Sequence, residues 1–358
     1  MGELLEKVYD FDNLMRAFKK AACCRRHKKD VIKFELRLTD NLWKIHYALK
    51  NDTYNPNGYR RFIIYEPKER EIQALPFIHR VLQTSLCVNG IRDFFERRLI
   101  YDCAACRPNK GTHFAINRLN KFMRSFYKQH KTNGYFLKID VKKYFDSIAH
   151  DVLKDKIKIF PDKDILSLLY RIIDSYSNKP NKGIPMGNQT SQWFALFYLD
   201  SVDRLIKEKL RIKYYSRYMD DLILIHHSKD YLKYCLEEIT KMATNELKLE
   251  FNNKTQIFPI SQGVDYMGFR FYLSKTGKVI RKLRTSNKKR FKRKMKAFVK
   301  KYYDGEMTFD DINRSVQSYN GHLKHGHTFR LRRHVFNKMK LISGKYPEVS
   351  EDYFYEDV

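Results

Sequence analysis

No run of about 18 apolar residues occurs in the 358-residue chain, so nothing in it reads as a membrane-spanning helix. The opening Met1-Gly2-Glu3-Leu4-Leu5-Glu6 is acidic and too poor in apolar residues for a secretory signal. It also lacks the Ser or Thr that a myristoylation signal carries at position 6. Cysteine is sparse. Of the six, only Cys103 and Cys106 stand at metal-ligand spacing, with no second pair or Cys-x-His partner nearby. They read as small buried thiols in a reducing compartment, not as a disulfide framework or a zinc site. No internal repeat or low-complexity linker interrupts the chain. These absences describe a soluble, cytoplasmic, globular protein that uses no membrane, long enough for two or three packed modules.

Acidic residues are also in deficit: 41 Asp+Glu face 71 Lys+Arg, a formal net charge of +30. An excess that large repels itself in a compact fold unless a polyanion neutralises it. Nucleic acid is the partner this charge calls for, because each neutralised phosphate also releases condensed counterions. The 43% hydrophobic and 15% aromatic content is that of a folded chain. From Lys275 to Lys301 there are fourteen Lys/Arg and no acid. Within that run Phe291, Met295, Phe298, Val299 and Tyr302 recur at i, i+4, i+7, i+8 and i+11. That is one apolar face on an otherwise cationic helix. It packs on the protein and turns Lys288, Lys289, Arg290, Lys292, Arg293 and Lys296 toward phosphates.

Apolar periodicity predicts two helices across residues 11–50 and a strand at 59–65, then a turn at Glu66-Pro67-Lys68 and mostly helix over 76–128. Tyr135 to Asp140 is an apolar strand ending in a carboxylate. Helical stretches follow over 151–178 and 190–210, and another over 228–248. Tyr214 to His226 reads as two short strands flanking Met219-Asp220-Asp221. A small sheet backed by helices, an α+β fold, is the expectation.

Two adjacent carboxylates between apolar strands repel each other, and burying either alone is expensive. The pair makes sense if a divalent cation sits between it and a third carboxylate, which Asp140 supplies if the two strand regions are neighbours. Carboxylates with water and phosphate oxygens suit magnesium. Two such ions would activate an attacking hydroxyl and stabilise a leaving pyrophosphate. The plain alternative for an isolated Asp-Asp is a polar turn. Its surroundings argue otherwise.

Tyr218-Met219-Asp220-Asp221 resembles the Tyr-x-Asp-Asp box of reverse transcriptases. The stretch from Leu137 to Asp146 resembles their first carboxylate motif, and the stretch from Gly183 to Gln192 the motif between the two. Lys68-Glu69-Arg70-Glu71-Ile72, with Pro76 and Arg80-Val81-Leu82-Gln83, resembles the fingers motif. Lys254-Thr255 and Tyr266-Met267-Gly268-Phe269 match the two later palm motifs. The resemblance runs over roughly residues 55–275, with every motif in family order.

It implies a right-hand polymerase. The N-terminal helical extension takes 1–55, fingers 56–135 and palm 136–272, with part of the fingers in a 150–190 insertion. A basic helical thumb takes 273–345 and an acidic tail 346–358. Asp140, Asp220 and Asp221 would be catalytic, holding two magnesium ions (manganese as substitute) with the backbone carbonyl of Val141. Arg70 with Lys68 would grip the triphosphate of a dNTP, and Phe145 would be the steric gate against a 2′-hydroxyl, with plain core as its bland alternative. Gly187 would let the backbone approach the templating pair. Lys254 would neutralise the leaving group, or simply be a surface lysine. Tyr266, Met267 and Gly268 would hold the primer end.

Met186 before Gly187, and Gln192 after Ser191, depart from the commoner Gln-Gly and Ser-Pro. They resemble the enzymes of diversity-generating retroelements, which implies low fidelity and a small basic accessory protein. Some defence-associated bacterial reverse transcriptases deviate at the same place. His79 replaces an Asp common among relatives. The implied partners are a structured RNA template, the RNA/DNA duplex and dNTPs; oligomeric state is not readable. Two other classes stand beside this one: a non-catalytic RNA-binding or splicing-helper shell, and a metal nuclease. Against the first, all three acids are present. Against the second, a nuclease has no need of Phe145 or Arg70. In His322, His325 and His327, packing or RNA contact is the reading, since no Cys or acid adjoins them to complete a metal site.

Overall fold

The computed structural model describes residues 2–65, 69–176 and 180–339. Four helices open the chain: α1 (Glu3–Tyr9), α2 (Phe11–Ala22), α3 (Lys29–Glu35) and α4 (Leu38–Lys50). Residues 11–50 thus hold three helices where two were expected, and α1 precedes them. The causes are local. α1 is too short to display a periodic face, yet it buries Leu5, Val8 and Tyr9. Asp10 starts α2, its carboxylate accepting from the Asn13 N–H. Cys24, at a left-handed φ of 59°, lies in the turn between α2 and α3, and Arg37 leaves helical geometry before α4.

β1 (Arg60–Ile64) and β2 (Arg70–Ala74) pair antiparallel; the turn expected at 66–68 lies outside the described residues. α5 (Phe77–Ser85), a π-helical turn at Leu86–Ile91, α6 (Arg92–Arg98) and α7 (Thr112–His130) supply the helices expected after residue 76. β3 (Tyr135–Asp140) buries Phe136, Leu137 and Ile139. Next come α8 (Tyr144–Ser147), α9 (His150–Ile157), α10 (Lys163–Asp174), α11 (Gln189–Tyr198) and α12 (Asp200–Arg204). β4 (Tyr214–Tyr218), β5 (Asp221–His226), α13 (Lys229–Asn245) and β6 (Gln256–Pro259) follow. The strands β4, β5, β3 and β6 form one sheet in that order, so β3 and β5 are neighbours despite their distance in sequence. Leu222 to Ile225 of β5 are all buried, as in a strand covered on both faces.

β7 (Val264–Tyr266), β8 (Phe269–Leu273) and β9 (Val279–Leu283) make a third, antiparallel sheet. α14 (Thr285–Tyr303), α15 (Phe309–Leu323) and α16 (Phe329–Phe336) come after it. The apolar face expected of the basic run is there. Phe291, Met295, Phe298 and Tyr302 are buried, Val299 partly so, in one cluster with Ile312, Val316 and Leu323 of α15 and Val335 and Phe336 of α16. Thr308 and Asp311 form a capping box that starts α15.

The α+β expectation holds: helices around small antiparallel sheets. The described residues form two compact units, one within Met1–Gly111, Leu137–Leu224 and Asp230–Gln256, the other within Thr112–Phe136, Ile225–Lys229 and from Ile257 onward. No described helix is long and apolar enough to cross a membrane. The cysteine expectation needs correction. Cys87, Cys103 and Cys235 are buried, but Cys23, Cys24 and Cys106 are exposed, because all three fall in irregular segments, two at left-handed φ.

Candidate active site

The three aspartates belong to the first unit. Asp140 closes β3, and Met219-Asp220 is the two-residue turn from β4 to Asp221, the first residue of β5. Met219 takes a φ of 56°, as the first position of so short a hairpin turn requires. Lys138 precedes Asp140 by two residues and therefore shares its face of β3. Its Nζ lies 3.2 Å from each carboxylate oxygen of Asp221 and donates to Oδ2. Oδ1 is buried with no hydrogen-bond partner. Burial foremost pushes the Asp221 carboxyl up to about 6; Lys138 opposes the shift, while Asp220 and Asp140 add repulsion. The three acids therefore share one electrostatic environment.

Among the described residues, no three His, Cys, Asp or Glu side chains already stand as a ligand set for a metal ion. The ammonium of Lys138 supplies the local compensation instead. Even so, a buried carboxylate oxygen that accepts no hydrogen bond, beside two further acids, fits a hard divalent cation. The backbone fits as well. Val141 forms an antiparallel bridge with Phe251, through Lys142 N–H donating to Glu250 O at 2.9 Å and Asn252 N–H donating to Asp140 O at 2.7 Å. Those bonds come from the flanking residues, so the pairing does not engage the carbonyl of Val141 itself.

Phe145 lies in α8, half-buried, its ring edge-on to Tyr144. A ring that is not enclosed can meet a ligand. Its carbonyl accepts from Ile184 N–H at 2.9 Å, which ties α8 to the segment carrying Met186 and Gly187. Met186, Gly187 and Gln192 are half-buried, Gln192 on α11. A Cβ at residue 187 would lie 2.7 Å from the carbonyl oxygen of Gln73, so β2 itself requires glycine there. Lys254 is exposed, and its neighbour Thr255 accepts from Asp140 N–H through Oγ1 at 3.3 Å. Arg70 pairs with Ile64 through the backbone; its side chain and all of Lys68 lie outside the described residues.

The second unit holds the remaining expected residues. Tyr266 is buried, and Met267 and Gly268 form the turn from β7 to β8 with φ of 46° and 86°. Gly268 O accepts from Arg284 N–H and from Asn287 Nδ2, each at 3.1 Å. On α14, Lys288, Lys289, Arg293 and Lys296 are exposed, while Arg290 and Lys292 are half-buried. His325 stacks on His113 at 3.6 Å between centroids, and His322 meets Phe269 at 5.0 Å. His327 accepts from Arg281 N–H at 3.0 Å. His322 and His325 thus pack on neighbouring rings, while His327 is exposed.

Sequence reading missed Lys138, Thr255 and Arg217. Lys138 was detectable as a cation two residues from Asp140 within an apolar strand. Arg217 was detectable as an arginine inside β4, whose first four residues are buried and leave no route to water. Thr255 was marked only as the second residue of the Lys254-Thr255 motif, with no role of its own.

A family model described as reverse transcriptase (RNA-dependent DNA polymerase) matches residues 66–271, more than half of the chain. The putative COX1/OXI3 intron 2 protein of Saccharomyces cerevisiae is 26% identical over 163 residues, 42% of this chain. The corresponding intron 1 protein is 22% identical over 163 residues, 43% of this chain. The chain spans 17% of the length of each. Apo telomerase from Candida tropicalis, truncated from its C-terminal domain, is similar with a TM-score of 0.48 at 15% identity, over 67% of this chain and 59% of that one. Telomerase from Candida albicans, with a TWJ fragment of telomeric RNA, gives 0.49 at 10% identity, over 86% and 63%.

Proposed function

Because the chain belongs to the reverse transcriptase (RNA-dependent DNA polymerase) family, we propose that it extends a primer on an RNA template with deoxynucleotides. The observation that carries this reading is the acid cluster at the β3–β5 junction, where Asp220 and Asp140 both raise the Asp221 carboxyl by repulsion. Asp140, Asp220 and Asp221, with the carbonyl of Val141, are the groups that would hold two magnesium ions. Bound there, the ions supply a lowered pKa for the attacking 3′-hydroxyl and charge neutralisation for the leaving pyrophosphate. Arg70 and Lys68 grip the triphosphate, Lys254 faces the leaving group, and Phe145 blocks a 2′-hydroxyl. The turn at Met267-Gly268 seats the primer end, and the cationic face of α14 follows the duplex backbone, where shape and phosphate contacts dominate recognition. In these roles 56–135 serve as fingers, 136–272 as palm and 273–345 as thumb.

Primer extension on RNA with magnesium tests the proposal. Wild type is expected to incorporate deoxynucleotides, and Phe145→Ala to admit ribonucleotides. Asp220→Asn is expected to lose synthesis by at least about 100-fold while keeping its fold and RNA affinity. Extension by Asp220→Asn at the wild-type rate would sink the reading.

Met186 and Gln192 support a finer proposal, error-prone copying at template adenines as in a diversity-generating retroelement, with a small basic protein as partner. Met cannot offer the hydrogen bonds of Gln near the nascent pair, so geometry is policed less tightly. Met186→Gln is expected to lower misincorporation opposite adenine; an unchanged error rate removes this refinement and leaves the polymerase reading standing. The curated relatives are named as intron proteins, and a second reading, a splicing-helper shell without synthesis, stands beside the first. Under it Asp220→Asn would retain full function in a splicing assay.

A further inference from the structure

Arg217 is the largest fully buried side chain among the described residues, and its guanidinium donates to a buried carboxylate and to two backbone carbonyls. Nε donates to Asp203 Oδ1 at 2.8 Å and Nη2 to Asp203 Oδ2 at 2.5 Å. Nη2 also reaches Leu196 O at 3.0 Å, and Nη1 reaches Met219 O at 3.1 Å. Both members of the ion pair have no side-chain exposure. Asp203 takes a third bond, from the Tyr215 hydroxyl at 2.6 Å. The backbone of Arg217 is tied as well, its N–H donating to Asp102 O at 3.1 Å and its O accepting from Ala104 N–H at 2.9 Å.

A buried ion pair is weak ground for a stability role, because an apolar group of the same volume often serves as well. What an apolar group cannot supply is an N–H for the carbonyl of Met219. That carbonyl belongs to the left-handed turn residue immediately before Asp220. A bidentate grip by Asp203 holds the planar guanidinium in one orientation, which a lysine ammonium cannot reproduce. We propose that Arg217, anchored by Asp203, is a positioning residue that clamps the Met219-Asp220 turn and so presents Asp220 and Asp221 to a divalent cation in a single arrangement. The proposal rests on the polymerase reading of these aspartates.

Three measurements on the full chain test it: thermal denaturation, affinity for Mn2+ alone by electron paramagnetic resonance, and steady-state primer extension. Two variants are compared with wild type. One replaces the whole polar group (Arg217→Met, Asp203→Leu, Tyr215→Phe), and the other is Arg217→Lys. The triple variant is expected to melt near wild type. Its Mn2+ affinity and its kcat should each fall about 10–100-fold, as for supporting residues around a metal site, with little change in KM for the nucleotide. Arg217→Lys should lose Mn2+ affinity in the same direction, and it decides the matter alone if the triple variant does not fold. A folded variant that binds Mn2+ as tightly as wild type overturns the proposal. If wild type extends no primer yet its Mn2+ affinity depends on Arg217, the polymerase reading falls and the positioning role stands.

Discussion

Asp221 carries its charge against its surroundings. Burial and two neighbouring acids lift its carboxyl from the ordinary 3.8 to about 6, with Lys138 opposing. A folded-state value above the unfolded one means that the fold disfavours the ionised form. The resulting destabilisation is absent below about pH 4, grows as pH rises between the two values, and is complete above about pH 6. Asp221→Asn removes it, and with it the charge that Lys138 faces at 3.2 Å. Without divalent ions the variant is expected to gain on the order of 1–2 kcal/mol over wild type at pH 8 and nothing at pH 4. Melts across that range measure the difference, and magnesium should reverse the order at pH 8 by stabilising only the protein that binds it. A gain independent of pH would show that charge is not what strains this position. The repulsion between the two adjacent acids was legible in the sequence; which of them the fold buries, and that its counter-charge stands on another strand, was not.

At the scale of elements, the strands that frame the acids were readable and the packing of one segment on another was not. β3, β4 and β5 announce themselves as apolar runs, and α14 by its helical spacing of Phe291, Met295, Phe298 and Tyr302. α1 and the break between α3 and α4 do not, because a helix of two turns or a single non-helical residue leaves no periodic trace. Gly187 illustrates the second kind of information. Its missing side chain is required by the Gln73 carbonyl of β2, the strand that also carries the backbone of Arg70. Gly187→Ala forces one of the two segments to move. β1 is exposed along most of its length, so the ribbon can yield. The expected loss of stability is therefore about 1 kcal/mol, at the low end for overpacking, with a raised KM for the nucleotide as the larger effect. Denaturant unfolding beside nucleotide titrations separates the two; an unchanged KM would detach β2 from substrate binding.

Over the whole molecule the governing quantity is charge. A chain at +30 is expected to bind polyanions with an affinity that falls steeply with salt. Lys288, Lys289, Arg293 and Lys296 are exposed on α14, whose apolar residues are occupied with α15 and α16. Replacing the four together by glutamine is expected to weaken duplex binding uniformly across sequences. The slope of log K against log salt should drop by about 0.7–0.9 for each phosphate that is no longer neutralised. Fluorescence anisotropy between about 50 and 200 mM salt reads this. An unchanged slope would place the duplex elsewhere on the protein.

Composition and local order alone determined that this is a folded, strongly basic chain with an Asp-Asp pair set between apolar strands and an amphipathic cationic helix near its end. Those properties follow from residue type and spacing, which act over a few neighbours. Which strands lie side by side is settled by packing between distant segments, and so are the pairing of β3 with β5, the ammonium of Lys138 against Asp221 and the clamp of Arg217 on Met219. Burial then acts on whatever has been brought together, and a buried charge must find its compensation wherever the fold has put it.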